Sequence, residues 1–140
     1  MSASLAGVRL LVSAGPTYED IDPVRFLGNR SSGKMGFAIA AVAAQRGAEV
    51  VLVAGPVHMA TPAGVTRIDV RSAAQMHDAV IARLEMVDAP CDAYIGAAAV
   101  ADFTPRAASA NKLKKQPGQD TLVLELVKTR DILADVAAHA

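Results

Sequence analysis

The stretch Gly28–Gly36, GNRSSGKMG, concentrates residue types that can hold an anion. Gly28, Gly33 and Lys34 match the P-loop pattern G-x-x-x-x-G-K-[ST], but Met35 stands where a hydroxyl must hold magnesium. A true P-loop also follows its strand almost at once, whereas a polar loop containing Pro23 intervenes here. On these residues alone two readings stand. One is a plain helix start capped by Ser32. The other is an anion site of non-Walker design. In it Gly33 admits close backbone approach, Ser31 and Ser32 offer hydroxyls, helix N–H groups face the anion and Lys34 adds charge.

A second candidate lies in the long loop after Ala98, which carries Asp102 and the run Lys112-Leu113-Lys114-Lys115. The run is either a solvated face or part of a polyphosphate site. In the second case Asp102 would take a divalent cation and a lysine the phosphates. Other chemistry is thin. His58, His77 and His139 share no metal-ligand spacing with one another or with Cys91, so they read as solvated or partly buried side chains. There is no G-x-S-x-G elbow. Glu19, Asp20 and Asp22 read as a solvated turn.

The elements that must position these residues alternate. Val8–Ser13, Glu49–Ala54, Thr66–Val70, Ala93–Ala98 and Leu122–Val127 are aliphatic runs of strand length. Between them, Gly33–Arg46 is Ala-rich with Met35, Ile39 and Val42 at helical spacing, and Gly47 ends it. Ser72 and Gln75 form a capping box that opens a helix through about Val87, and Asp131 onward is helical. Continuous aliphatic strands between helices predict an α/β, Rossmann-like doubly wound fold with a mostly parallel sheet covered on both faces. The long irregular segments Gly15–Ser32 and Val100–Asp120 leave carboxyl ends of strands, where open α/β sheets bind ligands.

Composition narrows the function. The 140 residues suit one domain, with 52% hydrophobic but only 4% aromatic residues, so the core must be aliphatic. Fourteen basic residues balance fourteen acidic ones, which gives no footprint for nucleic acid polymers or an anionic membrane surface. A single cysteine allows no intramolecular disulfide and fits a reducing compartment. The N-terminal run is too short for a signal peptide and no apolar stretch approaches about 18 residues, so a soluble cytoplasmic protein is expected.

Taken together, AGPTYEDIDPVRFLGNRSSGKMG, AAAVADFTP, NKLKKQ and LELVKTRDIL resemble the phosphopantothenoylcysteine synthetase domain of coenzyme A biosynthesis. The resemblance runs from about Gly7 to the last residue, with the motifs in the family's order. The chain departs from it at Lys128-Thr129-Arg130-Asp131, where the family commonly has proline at the position of Arg130. The family domain usually lies behind a flavin-dependent decarboxylase, so FMN would belong only to that absent half.

The resemblance implies a two-step ligase. The carboxylate of 4'-phosphopantothenate attacks the α-phosphate of CTP and releases pyrophosphate. The amine of cysteine then attacks the acyl-cytidylate and releases CMP. It implies that Lys112 assists the first step and that Asn29 orients the intermediate for the second. The nucleotide would be held by Gly15, Ser31, Ser32, Gly33, Gly96, Ala97, Ala98, Asp102, Lys112, Thr129, Arg130, Asp131 and Ile132, with Mg2+ at Asp102. Arg25, Asn29 and Ala99 would contact the acyl substrate, Arg25 across a homodimer with shared sites.

Two rivals stay open. A nicotinamide-dependent oxidoreductase shares the fold, but AGPTYE lacks G-x-G-x-x-G and no acidic residue ends the second strand. The other is a nucleotide-binding module without turnover. Here the chain is read as one ligase domain over residues 1–140, cut short inside DILADVAAHA before further phosphate-binding lysines and a closing loop.

Overall fold

The computed structural model describes residues 4–139. Its centre is a four-stranded parallel sheet in the order β5-β4-β1-β6. These strands are β1 (Arg9–Ala14), β4 (Glu49–Ala54), β5 (Val65–Asp69) and β6 (Ala93–Gly96). Two short antiparallel pairs flank it: β2 (Glu19–Asp20) with β3 (Phe26–Leu27), and β7 (Phe103–Pro105) with β8 (Leu126–Lys128). The helices are α1 (Lys34–Gln45), α2 (Ala73–Leu84) and α3 (Ile132–Ala138), and Ala140 lies outside the described residues.

Alternate residues of β1 and β4 face opposite sides, so both sides must be apolar. Leu10, Val12, Val50 and Leu52 pack with Phe37, Ala40 and Ala43 of α1. Leu11, Val51 and Val53 pack with Met76 and Val80 of α2 and Ile132 of α3. Each of the larger side chains is worth about 1.5–3 kcal/mol when fully buried, and an alanine methyl roughly 0.8 kcal/mol. A glycine inside a helix costs about 1 kcal/mol, yet Gly36 is required. A Cβ there would meet the Ala14 Cβ at 2.3 Å, so its absence lets α1 lie on the end of β1.

The doubly wound α/β expectation is borne out, and several local expectations are corrected. Leu122–Val127 is not a strand of the main sheet. Only Leu126–Lys128 is extended, and it pairs antiparallel with Phe103–Pro105. Val123 is 88% exposed, so this aliphatic run finds no sheet to bury against. Helix α2 stops at Leu84 rather than near Val87, whose side chain has no core to reach. The capping box itself is present: Ser72 Oγ accepts from Gln75 N, and Gln75 Oε1 accepts from Ser72 N. The N-cap of α1 is Gly33, with φ 78°, and not Ser32.

Glu19 and Asp22 are not a solvated turn. Both are buried, because each carboxylate satisfies backbone N–H groups that arrive from distant segments. Glu19 accepts from Ala73 N at the start of α2 (3.0 Å). Asp22 accepts from Val24 N, Arg25 N and Leu113 N. His77 is buried as well, its Nε2 2.6 Å from Asp135 of α3. Among the described residues no helix is long and apolar enough to cross a membrane.

Candidate functional site

The chain runs outward from β1 through β4 to β5, then returns through α2 to place β6 on the other side of β1. That reversal makes the carboxyl ends of β1 and β6 a topological switch point, the place where open α/β sheets form their ligand crevice. A cleft of about 630 Å³ opens there. Its lining includes Gly96, Ala98, Asp102, Thr129, Arg130, Asp131 and Ile132, brought together from separate motifs. Ala97, expected with Gly96 and Ala98, is turned away. Its N–H bonds Ser13 O and Ala99 N bonds Gly15 O, which keeps this segment extended along β1. With faces alternating, Gly96 and Ala98 line the cleft while Ala97 does not.

The cleft's far wall is tied down residue by residue. Thr129 Oγ1 donates to Ala101 O (2.6 Å), and Thr129 N donates to Asp102 O (2.9 Å). These bonds fix the β8–α3 junction on the turn that carries Asp102. Asp131 caps α3 by accepting from Ala134 N, and buried Ile132 anchors the helix in the core. Arg130 reaches α2, where its guanidinium lies 2.8 Å from Asp78 and holds that carboxyl below its usual range. Ser13, Tyr94, Val100, Lys128 and Leu133 also line the cleft and were not singled out from sequence. Two of them were legible in principle. Ser13 and Tyr94 each stand two residues before a glycine at the carboxyl end of a strand, on the same sheet face.

A second cluster abuts the first. Gly15 and Gly33 both have positive φ, and a Cβ on Gly33 would meet Gly15 Cα at 3.4 Å and Val57 Cγ1 at 3.2 Å. Asn29 Nδ2 donates to Ala99 O at 2.6 Å, while its Oδ1 accepts from Ser31 N. The Ser31 hydroxyl accepts from Gly33 N (3.3 Å), so this serine braces the turn. The first turn of α1 holds no acidic residue, which leaves its positive dipole end uncompensated beside Lys34.

A third group comprises Arg25 and Lys112. Arg25 donates to Leu113 O (3.0 Å), and Asp22 accepts from Leu113 N (2.9 Å). Ser109 N donates to Ile21 O in the same hairpin. Lys112 thus directly precedes the residue that Arg25 and Asp22 hold, but it does not line the cleft. Among the described residues no three His, Cys, Asp or Glu side chains cluster to hold a metal. Asp102 and Asp131 are both exposed carboxylates on the cleft wall, and Asp131 is engaged in capping α3. One or two carboxylates suit magnesium that arrives on a polyphosphate, since that ion keeps most of its ligands as water and phosphate oxygens.

These features define a Rossmann-like α/β domain with a cleft at its switch point. Residues 5–140 match the family described as DNA/pantothenate metabolism flavoprotein C-terminal domain, and the chain belongs to that family. It is 52% identical over 134 residues to the coenzyme A biosynthesis bifunctional protein CoaBC of Vibrio cholerae, covering 96% of this chain and 33% of that protein. Against the CoaBC of Bacillus subtilis the identity is 50% over 136 residues, covering 96% and 32%. The chain thus spans about a third of the length of these relatives. A crystal structure of the C-terminal domain of CoaBC superposes with a TM-score of 0.81 at 44% identity, covering 98% of this chain and 61% of that one. The fold is shared by a Cab2 H337A mutant in complex with phosphopantothenate-cysteine, at TM-score 0.71 and 17% identity.

Proposed function

We propose that this chain forms the nucleotide-binding core of a ligase in coenzyme A biosynthesis, joining cysteine to 4'-phosphopantothenate through an acyl-cytidylate made from CTP. The observation that carries this reading is the convergence of Gly96, Ala98, Asp102 and Thr129–Ile132 on one cleft at the switch point. Its volume of about 630 Å³ suits a mononucleotide. Family membership and the identity to CoaBC give the reaction class.

In this reading the Gly96–Ala98 edge and the Thr129–Ile132 junction enclose the base. Asp102 is the group that would hold magnesium, which neutralises triphosphate charge when bound. The carboxylate of 4'-phosphopantothenate bonds the α-phosphorus as the bond to pyrophosphate breaks, and Lys112 offsets the charge that develops. Asn29, oriented by Ala99 O and Ser31 N, positions the acyl-cytidylate. The cysteine amine then bonds the acyl carbon, CMP leaves, and the amine gives up a proton. Arg25 serves the acyl substrate in a homodimer with shared sites.

Lys112 stands outside the cleft wall, which favours a chain that binds nucleotide better than it turns it over. Calorimetry should show CTP with magnesium binding more tightly than ATP, at dissociation constants as weak as about 1 mM. Pyrophosphate release with CTP, 4'-phosphopantothenate and cysteine should be negligible for this chain. It should be restored when the chain replaces its counterpart in the Vibrio cholerae relative. Absence of binding to any nucleotide would overturn the reading. Equal affinity for CTP and ATP would remove its base selectivity.

A further inference from the structure

The floor of the cleft carries a pair of hydroxyls that the ligation scheme leaves without a task. Ser13, near the end of β1, is 1% exposed, and its Oγ lies 2.7 Å from Tyr94 Oη of β6. Both residues line the cleft. The Tyr94 ring runs beneath Gly96, where an added Cβ would meet its Cε2 and its hydroxyl at 3.2 Å each. The side-chain-free strip at Gly96 therefore ends on a phenol.

The proton inventory of the pair is informative. Two hydroxyls carry two protons and share one between them, and either oxygen can be the donor. One proton remains for a ligand, so the pair can offer a donor or, with the shared proton reversed, an acceptor without moving. Burial pushes the Tyr94 phenol above its ordinary value, with the Ser13 hydrogen bond pulling the other way. The floor is thus neutral at physiological pH and has no charge to offer a phosphate. A flat strip flanked by Gly96 and Ala98 and ending in a neutral, reversible hydroxyl pair fits the polar edge of a planar ring.

We propose that the Ser13–Tyr94 hydroxyl pair hydrogen-bonds the heterocyclic base of a nucleotide in the cleft and is a specificity-determining element of that site. The inference rests on the reading of the cleft as a nucleotide site.

The probes are cytidine, which has no phosphate, and ribose 5-phosphate, which has no base. Tyr94→Phe should weaken cytidine and CTP binding by roughly five- to thirtyfold and leave ribose 5-phosphate unchanged. Ser13→Ala should weaken the same two ligands by a smaller factor. The double variant should match Tyr94→Phe alone, because the two groups act as one unit. Tyr18 and Tyr94 are the only tyrosines, so ring-labelled NMR can follow Tyr94 directly, and its signal should shift on adding cytidine. Thermal melting of each variant separates lost binding from lost folding, and Ser13→Ala keeps the phenol in place should Tyr94→Phe melt early. Wild-type affinity for cytidine in both single variants would overturn the proposal. Equal loss of ribose 5-phosphate would assign the pair to the sugar instead and also overturn it. Failure of the unaltered chain to bind CTP, cytidine or ribose 5-phosphate would strike the cleft reading itself, and this proposal with it.

Discussion

The cleft wall and the lysine-bearing loop are built in different ways, although both leave the same end of the sheet. The wall at Thr129–Ile132 is held by side-chain and backbone bonds together with a buried apolar anchor, Ile132. The loop around Lys112 is clipped to the β2–β3 hairpin through Asp22, Arg25 and Ile21 by polar bonds, with Leu113 only half-buried. Apolar burial resists local opening, whereas exposed polar clips open at lower free energy. The difference assigns tasks. Under the proposed function the pocket for the base would be set in advance, while Lys112, the charge meant for the triphosphate, sits on the more easily opened part.

The largest test asks whether the cleft suffices without the loop's charge. Lys112→Gln, assayed in the Vibrio cholerae relative carrying this segment, should cut pyrophosphate release by roughly two to three orders of magnitude. Asn29→Asp should spare that step and leave an acyl-cytidylate that cysteine resolves slowly, detectable by mass spectrometry. Failure of Asn29→Asp to form the intermediate would sink its second-step role.

A somewhat smaller effect follows from the clip itself. Asp22 is held below the ordinary carboxylate value, chiefly by the Leu113 N–H; burial opposes this, and the Val24 and Arg25 N–H groups and the Arg25 charge add to it. Its folded value is depressed, so its contribution to stability is complete above the unfolded value of about 4. That contribution is lost as pH falls through the folded value. Asp22→Asn should lower the melting temperature at pH 7 and flatten the acid limb of unfolding below pH ~4. An acid limb parallel to that of the unaltered chain would show that Asp22 does not carry this link.

On the cleft side, Thr129→Val keeps shape but deletes the bond to Ala101 O. The expected loss is about 1 kcal/mol, or roughly fivefold in CTP affinity, with Lys112-dependent chemistry unaffected. The smallest effect belongs to Arg130. Its pair with Asp78 is exposed on both sides, at 54% and 70%, so Arg130→Pro should move the melting temperature by no more than about 2 °C. A larger drop would mean that the fold relies on the Arg130–Asp78 pair.

The parallel sheet, both of its covering faces and part of the cleft lining were legible, because six-residue aliphatic runs and the motifs at their ends announce themselves locally. What stayed hidden depends on distance along the chain. A two-residue strand such as Phe26–Leu27 has no period to detect. Glu19 and Asp22 look like solvent-facing acids because each satisfies an N–H group from a distant segment, Ala73 and Leu113, that lies 54 and 91 residues away. The aliphatic run Leu122–Val127 names no partner, and its pairing with Phe103–Pro105 is a tertiary choice. Lys112 was visible as part of a charge run, but its place outside the cleft was not.

The two clips on the long loop also set a length. Ser109 is held by Ile21 O and Leu113 by Asp22, so Lys112 sits on a span that cannot stretch beyond about 14 Å. The ammonium's reach is therefore governed by its own stem, and the loop works as a short leash. Residues inserted between Ser109 and Lys112 should lengthen the leash and dilute the charge over a larger volume. The same residues inserted after Leu113, near Gly118, fall outside it, so that side of the loop can vary in length while the lysine keeps its address.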